Sequence, residues 1–434
     1  MSLKIRSGAC AGVVLAFLLG AALEGQTPMG AMVMAPEPLG ISMNRAGSGT
    51  TWVPDAVQLP YLQRMKGDWD FMVHGFVFGQ YTDQGGPRGD SQFGSLNWGM
   101  LMATRELAGG RFQLRTMLSL DPWSVTAKGY PLLLQTGEVY KGSAIVDRQH
   151  PHDFLMELAA NYERELTQSL GFSLYAGPSG EPALGPVAFM HRPSSMDLPF
   201  APLGHHWQDA THITFGVVTA GLFGRKWKLE GSAFNGREPN DERWDVDAIK
   251  LDSYSGRLTV NPTANWSASL GYGWLKSPES LEPAESITRL TGSIMHGARI
   301  GNEGQVATSL VVGVNSHHGD FSAAYLVESE AVLNAPHTIF GRAERVARSP
   351  TELGILPPST GSSDFDVGAY TVGYVREAFR IRGGTIGLGG FATANRVPSA
   401  VATAYGSKTP ISGTVFLRVR PAFGKSRGMA GMHH

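Results

Sequence analysis

Residues 147–154 read DRQHPHDF, with two histidines one residue apart between Asp147 and Asp153. A second such stretch, VAFMHRPSSMDLPFAPLGHHWQDATH at 187–212, holds His191, His205, His206 and His212 beside Asp197, Asp209, Met190 and Met196. Imidazole and carboxylate donors suit zinc, copper or nickel, and thioether sulfur suits Cu(I). The two stretches hold six of the chain's 13 histidines, so a shared metal site is the sharpest chemistry on offer. Its expected ligands are His150, His152, His205 and His206, with Asp153 or Asp209 orienting a ring from behind, and copper or zinc as the ion. No spacing here matches H-E-x-x-H. The competing reading is that the rings brace loops, because a neutral imidazole both donates and accepts a hydrogen bond. Ser194 and Ser195 follow His191, but a serine nucleophile needs a base within hydrogen-bond reach and a third group to orient that base. Neighbourhood in a loop supplies neither, so no catalytic residue is assigned.

Where these residues sit depends on the elements around them. The chain opens MSLKIRSGACAGVVLAFLLGAALEGQT, with Lys4 and Arg6 ahead of an apolar run from Ala9 to Leu23. This is the layout of a secretory signal peptide, over residues 1–25. Cys10, the only cysteine, falls inside it, so an exported chain would have no thiol and would bind metal through His, Met, carboxylate or backbone. A formal net charge of −1 argues against a nucleic-acid partner.

Period-two alternation dominates the rest. Leu96, Trp98, Met100 and Met102 share one parity. Phe112 and Leu114 oppose Arg111, Gln113 and Arg115. Trp266, Ala268, Leu270, Tyr272 and Trp274 oppose small and polar residues. Each set belongs to one face of a strand. A soluble sandwich uses strands of about 5–6 residues, whereas many of these alternating segments are twice that length, which suits tilted strands crossing a bilayer. The fold expected is all-β: a transmembrane antiparallel up-and-down β-barrel of about 14–16 strands with long external loops. Trp98, Trp266 and Trp274 should face lipid, and Arg111, Arg115, Lys226, Lys228, Glu230 and Arg257 the lumen.

Sixteen segments between 70 and 420 fit this pattern. If the first rises from the periplasm, long connections fall on the external side, notably 121–151 and 178–208. That places both histidine stretches at the outer mouth. One short link, His317-His318-Gly319, breaks the rule and leaves 14 strands open beside 16. The domain reading is a signal peptide at 1–25, an N-terminal periplasmic segment at 26–68, a barrel at 69–423 and a Met/His-containing tail at 424–434. In the first external turn, YTDQGGPRGDSQFG, Arg88 is expected to clamp Asp83 or Asp90.

The stretches QGGPRGDSQFGSLNWGMLMA and DRQHPHDFLMELAANY resemble those of an uncharacterised family of Gram-negative, porin-like outer-membrane β-barrels. The resemblance implies a cell outer-membrane location, contact with outer-membrane lipids, and a water-filled or plugged lumen lined by the polar parity. The function expected is that of a channel or transport-associated barrel for small solutes or metal ions, not an enzyme. A lipid-modifying hydrolase, or a structural or binding barrel without conductance, are the alternatives.

Overall fold

The computed structural model describes residues 36–301, 304–317, 319–333, 336–355 and 364–423. The expected signal peptide and the Met/His-containing C-terminal tail lie outside them.

Sixteen antiparallel strands form a closed up-and-down barrel: β1 Trp69–Gln84, β2 Ser91–Leu107, β3 Gly110–Leu118, β4 Leu155–Glu165, β5 Gly171–Ser179, β6 Val217–Gly224, β7 Trp227–Phe234, β8 Ser253–Thr263, β9 Trp266–Lys276, β10 Ser286–Ile300, β11 Gly304–His317, β12 Asp320–Val332, β13 His337–Arg348, β14 Phe365–Ile381, β15 Gly384–Arg396 and β16 Ile411–Pro421. Each pairs with its chain neighbour, and β16 closes on β1 through Val77–Gln84. Below Val77 the same edge of β1 is taken by Leu62–Lys66, which folds back in register from Leu62 on Val73 to Lys66 on Trp69. Closure matters because hydrocarbon offers no partner to an open strand edge.

The periplasmic connections are tight. Ala108 and Gly109, both at positive φ, join β2 to β3 in a two-residue hairpin of the type whose twist matches the strands. The short link between β11 and β12 is a true external hairpin, with His317 opposite Asp320, so the count is 16.

The outer surface follows the predicted alternation over most of the wall. Trp266 and Trp274 are 44% and 40% exposed and point to lipid together with Leu258, Leu270, Tyr272, Leu290, Ile294 and Leu310. Arg111, Arg115, Lys228, Glu230 and Arg257 point inward and are buried. At roughly 2–4 kcal/mol for Arg or Lys at the bilayer midplane, that parity is strongly set. Two expectations fail. Lys226 lies in the periplasmic turn between β6 and β7 and is exposed. Trp98 is only 6% exposed and faces inward with Leu96, Met100 and Met102. Here the lumen is not wet: these side chains pack on Phe189, Met190 and Met196 from the fifth connection, so both faces of β2 carry apolar residues.

Among the described residues, three segments supply most of what fills the lumen. Part of the N-terminal region lies within the wall: Arg111 Nη1 donates to Ile41 O at 3.0 Å, Arg115 Nη1 to Gly49 O at 2.5 Å, Asn261 Nδ2 to Val53 O at 2.9 Å and Gln305 Nε2 to Gln58 O at 2.9 Å. The third connection (119–154) and the fifth (180–216) fold in from the external side. Interior cavities beside Arg111 and Lys228, and beside His191 and His212, measure only about 30 and 10 Å³, on the order of what one or two waters need.

Candidate functional site

Two local hairpins shape the third connection. Tyr130–Pro131 pairs with Arg148–Gln149, and Glu138–Tyr140 pairs with Ser143–Ile145. The first delivers His150 and the second Glu138, whose carboxylate Oε2 contacts His150 Nδ1. In the fifth connection, Pro202 and Gly204 precede a one-turn helix, His205–Gln208. That turn is held to the wall from several sides. Asn315 Nδ2 donates to His206 O at 3.1 Å, Arg289 Nη2 donates to the same carbonyl, and Trp207 Nε1 donates to Ser322 Oγ at 2.8 Å.

His206 is thereby aimed at carboxylates on three other connections. Its Nε2 lies 3.1 Å from Glu138 Oε1, and its Nδ1 lies 3.0 Å from Glu238 Oε1 and 3.7 Å from Glu279 Oε1. The seventh and ninth connections bring the last two together, since Glu238 N donates to Pro278 O at 3.2 Å. Burial alone would lower the His206 pKa, but Glu238 and the hydrogen bonds to Glu138 and Glu238 raise it well above the usual histidine value. Burial pushes Glu138 up, and His150 and His206 more than offset this, holding it well below the carboxylate range. Burial, with Arg243 beside it, lowers His150 to about 4 against the opposing pull of Glu138. Burial and then Glu238 raise Glu279.

The other expected ligands gather deeper, around Phe189. His152 Nδ1 is 2.7 Å from Asp121 Oδ2, and His205 Nδ1 is 2.8 Å from Asp209 Oδ1. His212 Nδ1 donates to the Asp209 carbonyl at 2.8 Å. The His152 and His205 rings lie 5.6 and 5.1 Å from that of His212. Asp209 also accepts from Phe189 N and from Arg192 Nη1, each at 3.0 Å, and Arg192 leads the effects that lower its pKa against burial. Asp153 lies 3.1 Å from Arg243 Nη1, and burial raises it to about 6.

The four histidines read from sequence therefore divide. His150 and His206 share Glu138 at the mouth, while His152 and His205 belong to the Asp121 and Asp209 cluster. Asp209 does orient a ring, and Asp153 faces an arginine. Sequence reasoning missed Glu138, Glu238 and Glu279, which join His206 only through loop packing. Of the serines of HRPSS, Ser194 faces the wall, its Oγ 2.6 Å from Ser309 Oγ and donating to Glu328 at 2.9 Å, while Ser195 Oγ donates to Phe189 O of its own connection at 2.9 Å. His191 instead packs tilted against Trp98 at 4.5 Å and edge-on to His74 at 5.3 Å. Arg88 clamps Asp147 at 2.6 Å and lies over Tyr405, tying the first turn to the third and last connections, not to Asp83 or Asp90.

Among solved structures, the chain is similar to the OmpF porin of Salmonella typhi in complex with daunomycin, with a TM-score of 0.50 at 9% identity over 83% of this chain and 100% of that one. The fold is that of the outer-membrane porins. Other matches include an anion-selective porin from Comamonas acidovorans (TM-score 0.49, 11% identity, 82% of this chain and 100% of that one) and the outer-membrane channel DcaP of Acinetobacter baumannii (0.46, 10%, 84% and 100%). No protein-family model matches the sequence, and no curated protein matches it. With its closed porin-fold barrel and its apolar belt, the chain is an outer-membrane protein.

Proposed function

We propose that this porin-fold barrel is a non-enzymatic channel or transport-associated protein, held shut by its own interior segments and serving small solutes, with metal ions as candidate cargo. One observation carries the reading: acidic and basic side chains of the inner wall, Glu328, Arg342, Glu344 and Arg418 among them, find partners on the plug. Arg192 of the fifth connection meets Glu328 of β12 at 2.6 Å, and Arg342 of β13 meets the other Glu328 oxygen at 2.9 Å while donating to Phe200 O at 2.8 Å. Glu344 accepts from Leu203 N at 2.8 Å, and Arg418 pairs with Asp197. A barrel serving only as an anchor gains nothing from such a wall, since burying ions costs several kcal/mol each. A wall that water wets when the plug moves has reason to be charged.

The strand ladder does not depend on the plug, because every wall strand pairs with its neighbours. Liposomes carrying the intact protein should therefore resist swelling in small sugars or amino acids, and those carrying a variant without residues 180–205 should swell. A folded deletion variant that leaves the liposomes tight would count against transport and for a structural or binding role.

A further inference from the structure

We propose that His206, Glu238 and Glu279 form a binding site for a borderline divalent cation such as zinc at the external mouth, with Glu138 fixing the imidazole from behind. This goes beyond the transport reading and does not depend on it. The three donor atoms all lie within 4.8 Å of one another. Ligands about 2.1 Å from a tetrahedral ion lie roughly 3.4 Å apart. His206 Nδ1 stands 3.0 and 3.7 Å from the two carboxylate oxygens, on either side of that separation. On those two edges closure around an ion needs shifts of a few tenths of an ångström, and the third edge, between the two carboxylates, is already within 4.8 Å.

The far side of the ring is built as at known metal centres, where a ligating histidine commonly gives its other N–H to a carboxylate. Here Glu138 receives Nε2, and His150 holds the second Glu138 oxygen. Gly137, at φ +89°, lets the hairpin lie flat on the imidazole, since a Cβ there would stand 2.9 Å from His206 Nε2. Glu238 and Glu279 remain part-exposed, so an ion can enter from outside. The charged or titratable groups facing the ring are Glu138, Glu238, Glu279, His150, His205 and, through the backbone, Arg289. Oxygen and imidazole donors with no sulfur favour zinc over Cu(I). Three protein ligands with an open fourth position suit reversible capture. The donors come from different connections, so binding energy would also dock those loops.

The test is calorimetric titration of zinc chloride into the chelator-stripped, detergent-solubilised full chain. The expected result is one site that weakens at least 100-fold in Glu238→Gln/Glu279→Gln and 10–100-fold in Glu138→Gln. Coincident isotherms for the wild type and the double variant, both folded by circular dichroism, would overturn the site. Zinc-edge X-ray absorption on the wild type below one equivalent tests the ligands without any variant. One imidazole with oxygen neighbours supports the assignment, and two or more imidazoles or any sulfur refutes it.

Discussion

The mouth cluster and the deeper cluster use the same residue types to opposite ends. Around Phe189 each carboxylate is committed: Asp121 to His152 and to Asn97 N, and Asp209 to His205, Phe189 N and Arg192. Arg192 continues this chain of fixed charges to Glu328 and Arg342 on the wall. At the mouth, three glutamates converge on one imidazole, and two of them remain within reach of solvent. A network whose carboxylates are each tied to a base and a backbone N–H locks a loop in place, whereas a surplus of carboxylate leaves room for a cation. The interior segments are thus tied to the wall at depth, while carboxylates from three connections meet one imidazole at the mouth.

The largest effect that would break this contrast belongs to the deep anchor. Arg192→Ala removes a buried partner from both Glu328 and Asp209, leaving Arg342 on the first and His205 and Phe189 N on the second, and should cost about 3 kcal/mol. The fifth connection should lose hydrogen-exchange protection over 189–212 while the wall keeps its own. Equal protection in variant and wild type would mean that the anchor lies elsewhere.

At the mouth, Glu138→Gln replaces a buried acceptor of two imidazoles and should cost about 1–3 kcal/mol. Faster protease cleavage within the third connection would report it. Smaller still is the effect of Glu238→Gln in metal-free protein, under about 1 kcal/mol because the group is part-exposed. Its thermal midpoint should match the wild type in chelator and fall below it in zinc.

A subtler difference concerns Glu181, packed against the N-terminal segment at Gly49. Burial raises its pKa to about 8 from 4.5. The folded form then holds a proton that the unfolded form has lost, so stability falls as pH rises through that window and the full penalty is present above about 8. Exchange protection of residues 38–58, corrected for intrinsic rate, should decline between pH 6 and pH 9. Glu181→Gln should flatten that decline.

The wall was readable because period two is imposed by lipid on one side, and each strand states it locally. Trp266 and Trp274 oppose small residues and were placed correctly, as were Arg111 and Lys228. Trp98 was not, because alternation separates two faces without saying which meets lipid when the plug makes the inner face apolar too. The strand count hinged on His317 and Gly319, where a tight external hairpin defies the usual loop asymmetry. The site was half-readable. His150 and His206 were visible as imidazoles in long loops, but their partner carboxylates come from Glu138, Glu238 and Glu279, and no spacing predicts which loops will touch. His152 and His205 look identical to them in sequence and differ only in the aspartates that the fold supplies.

The central claim, a porin-fold conduit closed by its own interior segments, is tested most directly by single-channel recording in planar bilayers. The intact protein should be silent, and the variant lacking residues 180–205 should show discrete conductance steps. Steps of full size from the intact protein, or silence from a folded deletion variant, would contradict it.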